Sequence, residues 1–432
     1  MRVKSERKSV WLVALKFVLA LALGWDAASA QTVAHGATPP KGGLGEAPRE
    51  LKATETIRFP FPSPTVALLW MPCNAEGDIY AVYDTASVRG LTAPPNPTLL
   101  PIRELLPDSQ TVKEFPVRPL DGYPSSYRVG FNLGPRGHVY GLFIAYRHPH
   151  ALAQGGGVPV VVKYNDDGSV DSQIKLSGYP SGVLQATVFG VFGDGNFLVT
   201  GVLDASSPAQ AAKRHYAPPP KGVVVHQPPP GLRPFTGIFD HSGNFLQEMR
   251  LPWDVGPGSQ ASATAARQTG SGHSAGARSN GHHRPEAPPN FASDWLTDLN
   301  QTLVVSGTED NMYLLRPSSP VLLYEISSGG QVTRDVRVKL PARGVRPTEM
   351  SRAGNTSMLI AFSGTRVDRK GRVRTITVFA VVDPVTGRIT AAYRLPPNAN
   401  LMPTACAVGP GDFEFVGSTK SSKLKIVKYY PN

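Results

Sequence analysis

The chain has 432 residues, with 44 Lys and Arg against 32 Asp and Glu, so its formal net charge is +12 at pH 7. The basic residues are scattered instead of clustering on one motif, which argues against a nucleic-acid partner. No segment beyond the first thirty residues approaches the roughly 20 consecutive apolar residues of a membrane-spanning helix, so we expect no membrane span.

The first element in chain order is a targeting segment. Four basic residues among the first eight precede the apolar run FVLALALG, and Ala28-Ser29-Ala30 follow it. This order is typical of a secretory signal peptide, here residues 1–30 with cleavage after Ala30, and it predicts a periplasmic or extracellular protein. Cleavage removes five basic and two acidic residues, which lowers the net charge from +12 to +9. That excess favours an anionic ligand, although plain solubility explains it as well.

A repeated phrase then indicates the architecture. Gly-Tyr-Pro-Ser occurs at Gly122 and again at Gly178, and a further glycine, Gly137 or Gly193, follows each copy by fifteen residues. Each copy contains an alternating strand, a Gly-containing turn and a second, more apolar strand. Related strand pairs begin near positions 66, 299, 348 and 404, which makes six copies.

A second hairpin lies between consecutive copies of this unit. Its turns contain residues that favour positive φ, namely Asp167-Gly168, His241-Ser242-Gly243, Gly329-Gly330 and Thr386-Gly387. Each unit therefore has four antiparallel strands and a period of fifty-odd residues. Because no amphipathic helix intervenes, the pattern predicts an all-β fold, a six-bladed β-propeller.

Several segments fall outside the repeat. Residues 31–52 are predicted to be a disordered leader, and residues 207–233 and 255–291 to be loop insertions in a propeller domain spanning 53–432, the second of them disordered. The segment TETIRFPFP, Thr54 to Pro62, resembles a fourth strand and stands before the first copy, whereas the last copy lacks one. We expect this N-terminal strand to pair with the C-terminal blade and so close the ring.

In its strand rhythm the chain resembles the six-bladed β-propeller superfamily, the TolB-like and NHL-like group. That group includes hydrolases, lyases and pure binding scaffolds. The resemblance to its lactonase-like members implies a divalent cation held at the channel mouth by carboxylates and amides. Here the candidate inner strands contain one carboxylate, Glu349, beside Arg128, Asn132 and Arg352. Asp78, Asp194 and Asp412 stand in the adjoining turns, so we expect neither a metal nor another cofactor.

Other motifs are interpreted as structural or incidental. Gly272-His273-Ser274-Ala275-Gly276 fits the serine-hydrolase elbow, but it lacks the flanking strand and helix. His273, His282 and His283 offer at most loose metal binding. His148 and His150 lie in a predicted loop, and the basic stretch from Arg366 to Arg374 lies in a predicted turn, as either a solvated tip or an anion-binding patch.

Two residue pairs are candidates for specific roles. Tyr123 and Tyr179 occupy equivalent crossovers, where they form either a stacking platform for a carbohydrate or another planar ligand, or packing contacts over the blade beneath. Cys73 and Cys406 lie in neighbouring blades if the ring closes, as either a disulfide or two buried thiols.

The sequence as a whole favours an exported, non-catalytic propeller without catalytic residues, acting as a ligand-binding or scaffold module of the cell envelope or exterior. The alternatives are a lactonase-like or lyase-like enzyme that uses the channel mouth, and a component of an envelope protein assembly.

Overall fold

The computed structural model describes residues 48–431 with gaps at 63–67, 71, 75–76, 84–100, 107–108, 117, 119, 136, 148–156, 206–231, 252–298, 300, 309, 318–319, 368–372, 397–400, 410–411 and 419–422. The predicted signal peptide, residues 31–47 of the predicted leader, the elbow motif and the loop histidines named above lie outside the described residues, as do residues 255–291.

The described strands form one long N-terminal strand, β1 (Arg49–Pro62), followed by four antiparallel four-stranded sheets in chain order. Sheet I contains β2 (Leu68–Trp70), β3 (Ile79–Tyr83), β4 (Ile102–Leu106) and β5 (Thr111–Phe115). Sheet II contains β6 (Ser125–Leu133), β7 (Val139–Tyr146), β8 (Val158–Tyr164) and β9 (Val170–Lys175). Sheet III contains β10 (Val183–Val191), β11 (Phe197–Asp204), β12 (Leu232–Phe239) and β13 (Phe245–Glu248). Sheet IV contains β14 (Leu303–Ser306), β15 (Asn311–Arg316), β16 (Leu322–Ser327) and β17 (Val332–Arg337).

The remaining strands join β1 in sheet V, which has eight strands. They are β18 (Val345–Arg352), β19 (Met358–Val367), β20 (Val373–Val382), β21 (Ile389–Arg394), β22 (Leu401–Gly409), β23 (Asp412–Ser418) and β24 (Lys423–Pro431). Their order is β18-β19-β20-β21-β1-β24-β23-β22. Strand β1 pairs antiparallel with β24 along most of its length, as expected for the segment from Thr54 to Pro62, and meets β21 in parallel only at Arg49 and Glu50.

The sheets stack face to face, which explains why the second strands are apolar on both sides. Every residue of β7 and of β11 is buried, whereas the fourth strands β9 and β17 are partly exposed. Among the described residues, hydrophobic clusters lie between sheets I and II, II and III, III and IV, and IV and V. One further cluster lies within sheet V, and another joins β1 and β22–β24 to sheet I. Sheets that bury their faces on their neighbours in this way make an all-β propeller.

Glycines in the turns between the third and fourth strands of a sheet pack closely against the preceding sheet. The positive φ predicted for these turns is confirmed at Gly168, Gly243, Gly330 and Gly387. A Cβ atom on Gly243 would collide with the carbonyl oxygen of Lys175, the last residue of β9 in the preceding sheet. In the same way Gly168 abuts Glu114 and Gly387 abuts Arg337. The turn glycine therefore sets how closely one sheet approaches the next.

Gly243→Ala is expected to lower the free energy of unfolding by about 3 kcal/mol. Positive φ costs an alanine about 1 kcal/mol, and the collision with the Lys175 carbonyl adds an overpacking cost of about 2 kcal/mol. The matched control is Gly354→Ala, because Gly354 also has positive φ (69°) but a Cβ there would meet no described atom within 4 Å. Urea unfolding of both variants measures the difference, and equal losses would show that sheet contact at the turn does not matter.

Two predicted boundaries need correction. The leader was predicted to extend to residue 52, but β1 begins at Arg49, because Arg49 and Glu50 pair with β21 and Leu51 is buried. The insertion predicted to end at residue 233 ends earlier, because Leu232 and Arg233 pair with β11. Within the described part of the chain, no helix has the length and apolar character needed to cross a membrane.

Candidate functional site: a polar pocket between sheets I and II

The inner-strand residues singled out from the sequence have separate partners. Asn132 on β6 donates a hydrogen bond to the Phe189 carbonyl oxygen (3.0 Å). The Arg352 guanidinium on β18 donates to the Asn355 side-chain oxygen (3.0 Å). Arg128 on β6 is 1% exposed, and burial lowers the pKa of its guanidinium to about 10. Asn132 thus links β6 of sheet II to β10 of sheet III, and Arg352 binds the turn beside its own strand, so these two contacts are structural and do not define a shared site.

Glu349 on β18 carries an enclosed carboxyl group. Its Oε2 atom is buried and accepts no hydrogen bond within the described residues. Burial raises the pKa of Glu349 well above its ordinary value of 4.5, so this side chain takes the neutral acid form over a wider pH range than an exposed glutamate does.

Glu349→Gln is expected to stabilise the protein at pH 8 but not at pH 4. Because the pKa of Glu349 is raised in the folded state, its contribution to stability is complete below pH 4.5 and is lost as pH rises toward the folded-state pKa. Each pH unit across that interval costs about 1.4 kcal/mol. Urea unfolding at the two pH values tests this, with exposed Glu55→Gln as the control. A gain of equal size at both pH values would contradict it.

The predicted turn aspartates stabilise local loops. Asp78 accepts a hydrogen bond from the Asn74 side-chain amide (2.8 Å), and Asp194 accepts one from the Asn196 backbone (2.9 Å). Asp412, predicted to lie in a turn, is the first residue of β23. Among the residues that the structure describes, no three His, Cys, Asp or Glu side chains are grouped as metal ligands. The basic stretch from Arg366 to Arg374 joins β19 to β20, and its residues 368–372 lie outside the described part.

The repeated Gly-Tyr-Pro-Ser phrase lies at the crossovers from β5 to β6 and from β9 to β10, as predicted. Gly122 and Gly178 have φ of 74° and 80°. Tyr123 packs against the cluster between sheets I and II, whereas Tyr179 packs against the cluster between sheets II and III, with its ring centroid 6.2 Å from that of Phe239. These contacts favour the packing alternative, and ligand binding by the two tyrosines stays a prediction.

Cys73 and Cys406 are joined by a disulfide, with their Cα atoms 5.8 Å apart. Cys406 lies on β22 of sheet V. The backbone of Cys73 forms an isolated antiparallel β-bridge with Ile79, the first residue of β3. The bond therefore ties the turn that precedes β3 to the last strands of the chain. Its formation in the mature protein stays a prediction.

A polar group that sequence reasoning missed lies on sheet I. Tyr80 on β3, Glu104 on β4 and Lys113 on β5 are direct cross-strand neighbours. The Tyr80 hydroxyl donates a short hydrogen bond to Glu104 Oε1, and Lys113 Nζ lies 3.1 Å from Glu104 Oε2. Glu104 is only 5% exposed, so a buried carboxylate is held from both sides.

This group forms one wall of a cavity of about 230 Å³ between sheets I and II. Sheet I contributes Asn74, Tyr80, Glu104, Lys113 and Phe115. Sheet II contributes Gly137, Val139, Asn165 and Asp166. The cavity thus combines amides, carboxylates, an ammonium group and apolar side chains.

The electrostatic surroundings of Tyr80 keep its hydroxyl group protonated. Burial raises the pKa of Tyr80, and so do the hydrogen bond to Glu104 and that residue's negative charge, with Asp78 and Asp166 adding to the effect. The phenol therefore remains a hydrogen-bond donor at physiological pH. At the rim, His138 Nδ1 lies 3.5 Å from the Asp166 carboxylate.

Sheet IV repeats the cross-strand arrangement. Tyr313, Glu325 and Arg334 are direct neighbours on β15, β16 and β17, and Arg334 lies 3.0 Å from Glu325. The difference is that Glu325 accepts a hydrogen bond from Asn311 (2.7 Å). Sheet IV therefore provides a matched control for variants of the sheet I group.

No protein-family model matches the chain, and no curated protein matches its sequence. Similar solved structures include a luciferin-regenerating enzyme, with 7% identity, a TM-score of 0.41, and 87% of this chain and 95% of that one covered. Another is an α-L-arabinanase of Penicillium chrysogenum complexed with arabinobiose, with 10% identity, a TM-score of 0.38 and coverage of 88% and 98%. A third is a chain of a mitotic checkpoint complex, with 7% identity, a TM-score of 0.38 and coverage of 91% and 96%.

Similarities at this level carry no argument about function. The sheet topology and the stacking of the sheets define the class: the chain is an all-β propeller.

Proposed function

We propose that the chain is an exported, non-catalytic β-propeller of six blades, of the TolB-like and NHL-like kind, that binds a small polar ligand in the pocket between sheets I and II. It acts in the periplasm or outside the cell as a ligand-binding or scaffold module. Two observations support a count of six blades. Strands β1 and β21 pair at only two positions, so sheet V divides there into β18–β21 and β1 with β22–β24. A hydrophobic cluster lies between these two halves of the sheet.

The observation that carries the binding function is that Tyr80 and Lys113 bind the two carboxylate oxygens of Glu104. Because Tyr80 and Lys113 engage its two oxygens, the polar wall of the cavity is ordered before any ligand arrives. Preorganised polar groups around a cavity favour binding, since little conformational freedom is lost when the ligand enters. A carboxylate that is already engaged on both oxygens is less suited to exchanging protons with a substrate.

The competing function is a lactonase-like or lyase-like enzyme, and Glu349 is the observation that favours it. Burial raises the pKa of this inner-strand carboxyl group, which favours the protonated form that a general acid requires. Under this alternative, Glu349→Gln abolishes an activity. Under the binding function, it changes only stability.

The binding function is tested by thermal shift with a panel of neutral sugars, organic acids and amines. At least one compound is expected to raise the melting temperature of the parent protein, and Asp166→Ala is expected to diminish that shift. The control is Asp167→Asn, which removes a charge from the next residue of the same turn, outside the cavity lining, and keeps an oxygen that accepts the hydrogen bonds of Ser169. No shift with any compound, or a shift unchanged by Asp166→Ala, would refute the proposal. Export is tested separately by N-terminal sequencing of the mature protein, which should begin at Gln31.

A further inference from the structure

We propose that the pocket between sheets I and II recognises a neutral, hydroxyl-rich ligand about the size of one sugar ring. This inference rests on the proposed binding function and specifies its ligand class. It places the ligand in the pocket beside Tyr80, and not on Tyr123 and Tyr179, which pack into two separate hydrophobic clusters.

The size of the cavity limits the ligand. Its volume of about 230 Å³ is below the roughly 300–1,000 Å³ of pockets that enclose drug-sized molecules. A single ring with its hydroxyl groups is therefore the appropriate size, and a longer glycan would enter through one terminal residue only.

The charges of the lining disfavour ionic ligands. The Lys113 ammonium is already paired with Glu104, so an anion would find no uncommitted cation among the described lining residues and would face Asp166 at the rim. A cation would meet the Asp166 carboxylate, but that side chain is 89% exposed and has His138 3.5 Å away, so an ion pair there gains little. To reach Glu104, which is 5% exposed, the cation would have to compete with Lys113. A neutral ligand leaves this buried pair intact and avoids the penalty of breaking it.

The hydrogen-bonding groups match hydroxyls, which donate and accept. A side-chain amide has two N–H donors and one acceptor oxygen. Asn74 uses one N–H on Asp78 (2.8 Å), and Asn165 uses one on Ser169 (2.9 Å). Within the described part of the chain, the second N–H of each amide is therefore open to a ligand. The Asp166 carboxylate at the rim supplies acceptors.

The lining of the cavity also includes apolar side chains. Phe115 and Val139 are each 2% exposed and belong to the cluster between sheets I and II. The few atoms of these side chains that line the cavity can contact C–H groups of a sugar ring, while the amides and carboxylate bind its hydroxyls. Each wall of the cavity thus combines polar groups with an apolar side chain, as a neutral sugar combines hydroxyl and C–H groups.

The test compares compounds of one ring frame and different charge by isothermal titration calorimetry: D-glucose, D-galactose and D-mannose as neutral probes, D-glucosamine as the cation and D-glucuronate as the anion. At least one neutral sugar is expected to bind, at least about tenfold more tightly than either charged compound, since one good hydrogen bond or one mismatched charge corresponds to about a tenfold change. Asp166→Ala should weaken that binding about tenfold, while Asp167→Asn, which keeps an oxygen to accept the hydrogen bonds of Ser169, should leave it unchanged.

The outcomes separate this inference from the proposed function. Tighter binding of glucosamine or glucuronate, weakened by Asp166→Ala, would overturn the neutral-ligand inference and leave a ligand pocket in place. The neutral-ligand inference also fails, with the pocket retained, if only non-sugar compounds of the wider panel bind there. Absence of binding by every compound would overturn both. Circular dichroism of each variant verifies folding, and because Asp166 and Asp167 are exposed, both variants should fold.

Discussion

Replacing both Cys73 and Cys406 by serine is expected to lower the free energy of unfolding by up to about 5 kcal/mol. The two residues are 333 positions apart, and a bond that closes so long a loop removes a large amount of entropy from the unfolded chain. The measurement is guanidinium unfolding of the oxidised parent protein beside the double variant. Strained geometry would reduce the effect, so the figure is an upper value.

Two controls make this result specific to the disulfide. Reductant should lower the stability of the parent protein most of the way to that of the double variant, because the buried Cys406 thiol is more apolar than the serine that replaces it. It should leave the variant itself unchanged. Thiol titration of the unfolded, unreduced parent protein should find no free thiol. Two free thiols per chain would show that the cysteines are separate buried groups in the mature protein.

The second large effect concerns the buried pair at the pocket. Lys113→Met is expected to cost about 3 kcal/mol of stability, because it leaves the Glu104 carboxylate 5% exposed with no ammonium beside it. Loss of one partner of a buried pair costs about 3–5 kcal/mol, and the lower value applies because the Lys113 side chain is 29% exposed. Urea unfolding of the variant provides the measurement.

The matched control is Arg334→Met in sheet IV. The Glu325 side chain is 16% exposed and retains its hydrogen bond from Asn311, so a loss of only about 1 kcal/mol is expected there. The double variant Glu104→Gln with Lys113→Met should recover part of the loss, since the unpaired charge is then gone. Equal losses of stability in Lys113→Met and Arg334→Met, with no recovery in the double variant, would show that the burial of Glu104 does not affect the free energy of unfolding.

Local signals made the propeller class predictable. Glycine is the residue type that favours positive φ, so turn glycines such as Gly168 and Gly243 indicate tight turns. Strands β7 and β11, which are buried on both faces, appear in the sequence as mainly apolar runs. Both signals act within a few residues of chain, so a single sequence contains them.

The pocket was not predictable in this way. Tyr80, Glu104 and Lys113 lie on three strands, and each taken alone is an ordinary residue of a short β segment. Only the pairing of Tyr80 with Glu104, and of Glu104 with Lys113, makes them a group. Cross-strand register depends on turn lengths and on tertiary packing, which strand patterns alone do not reveal. The early start of β1 at Arg49 was missed for a similar reason, since its partner at Tyr393 is remote in the chain.

The pairing of β1 with β24 also sets the order in which the protein can finish folding. Strand β1, the first of the described strands in chain order, has its main partner at Lys423–Pro431, so its hydrogen-bonding edge remains unsatisfied until β24 is available. Sheets I to IV can assemble from neighbouring segments in the meantime, because their strands pair in chain order. A molecule in which β24 has not yet paired would therefore expose the edge of β1 to other strand edges, so we expect the pairing of β1 with β24 to protect the folding chain from aggregation.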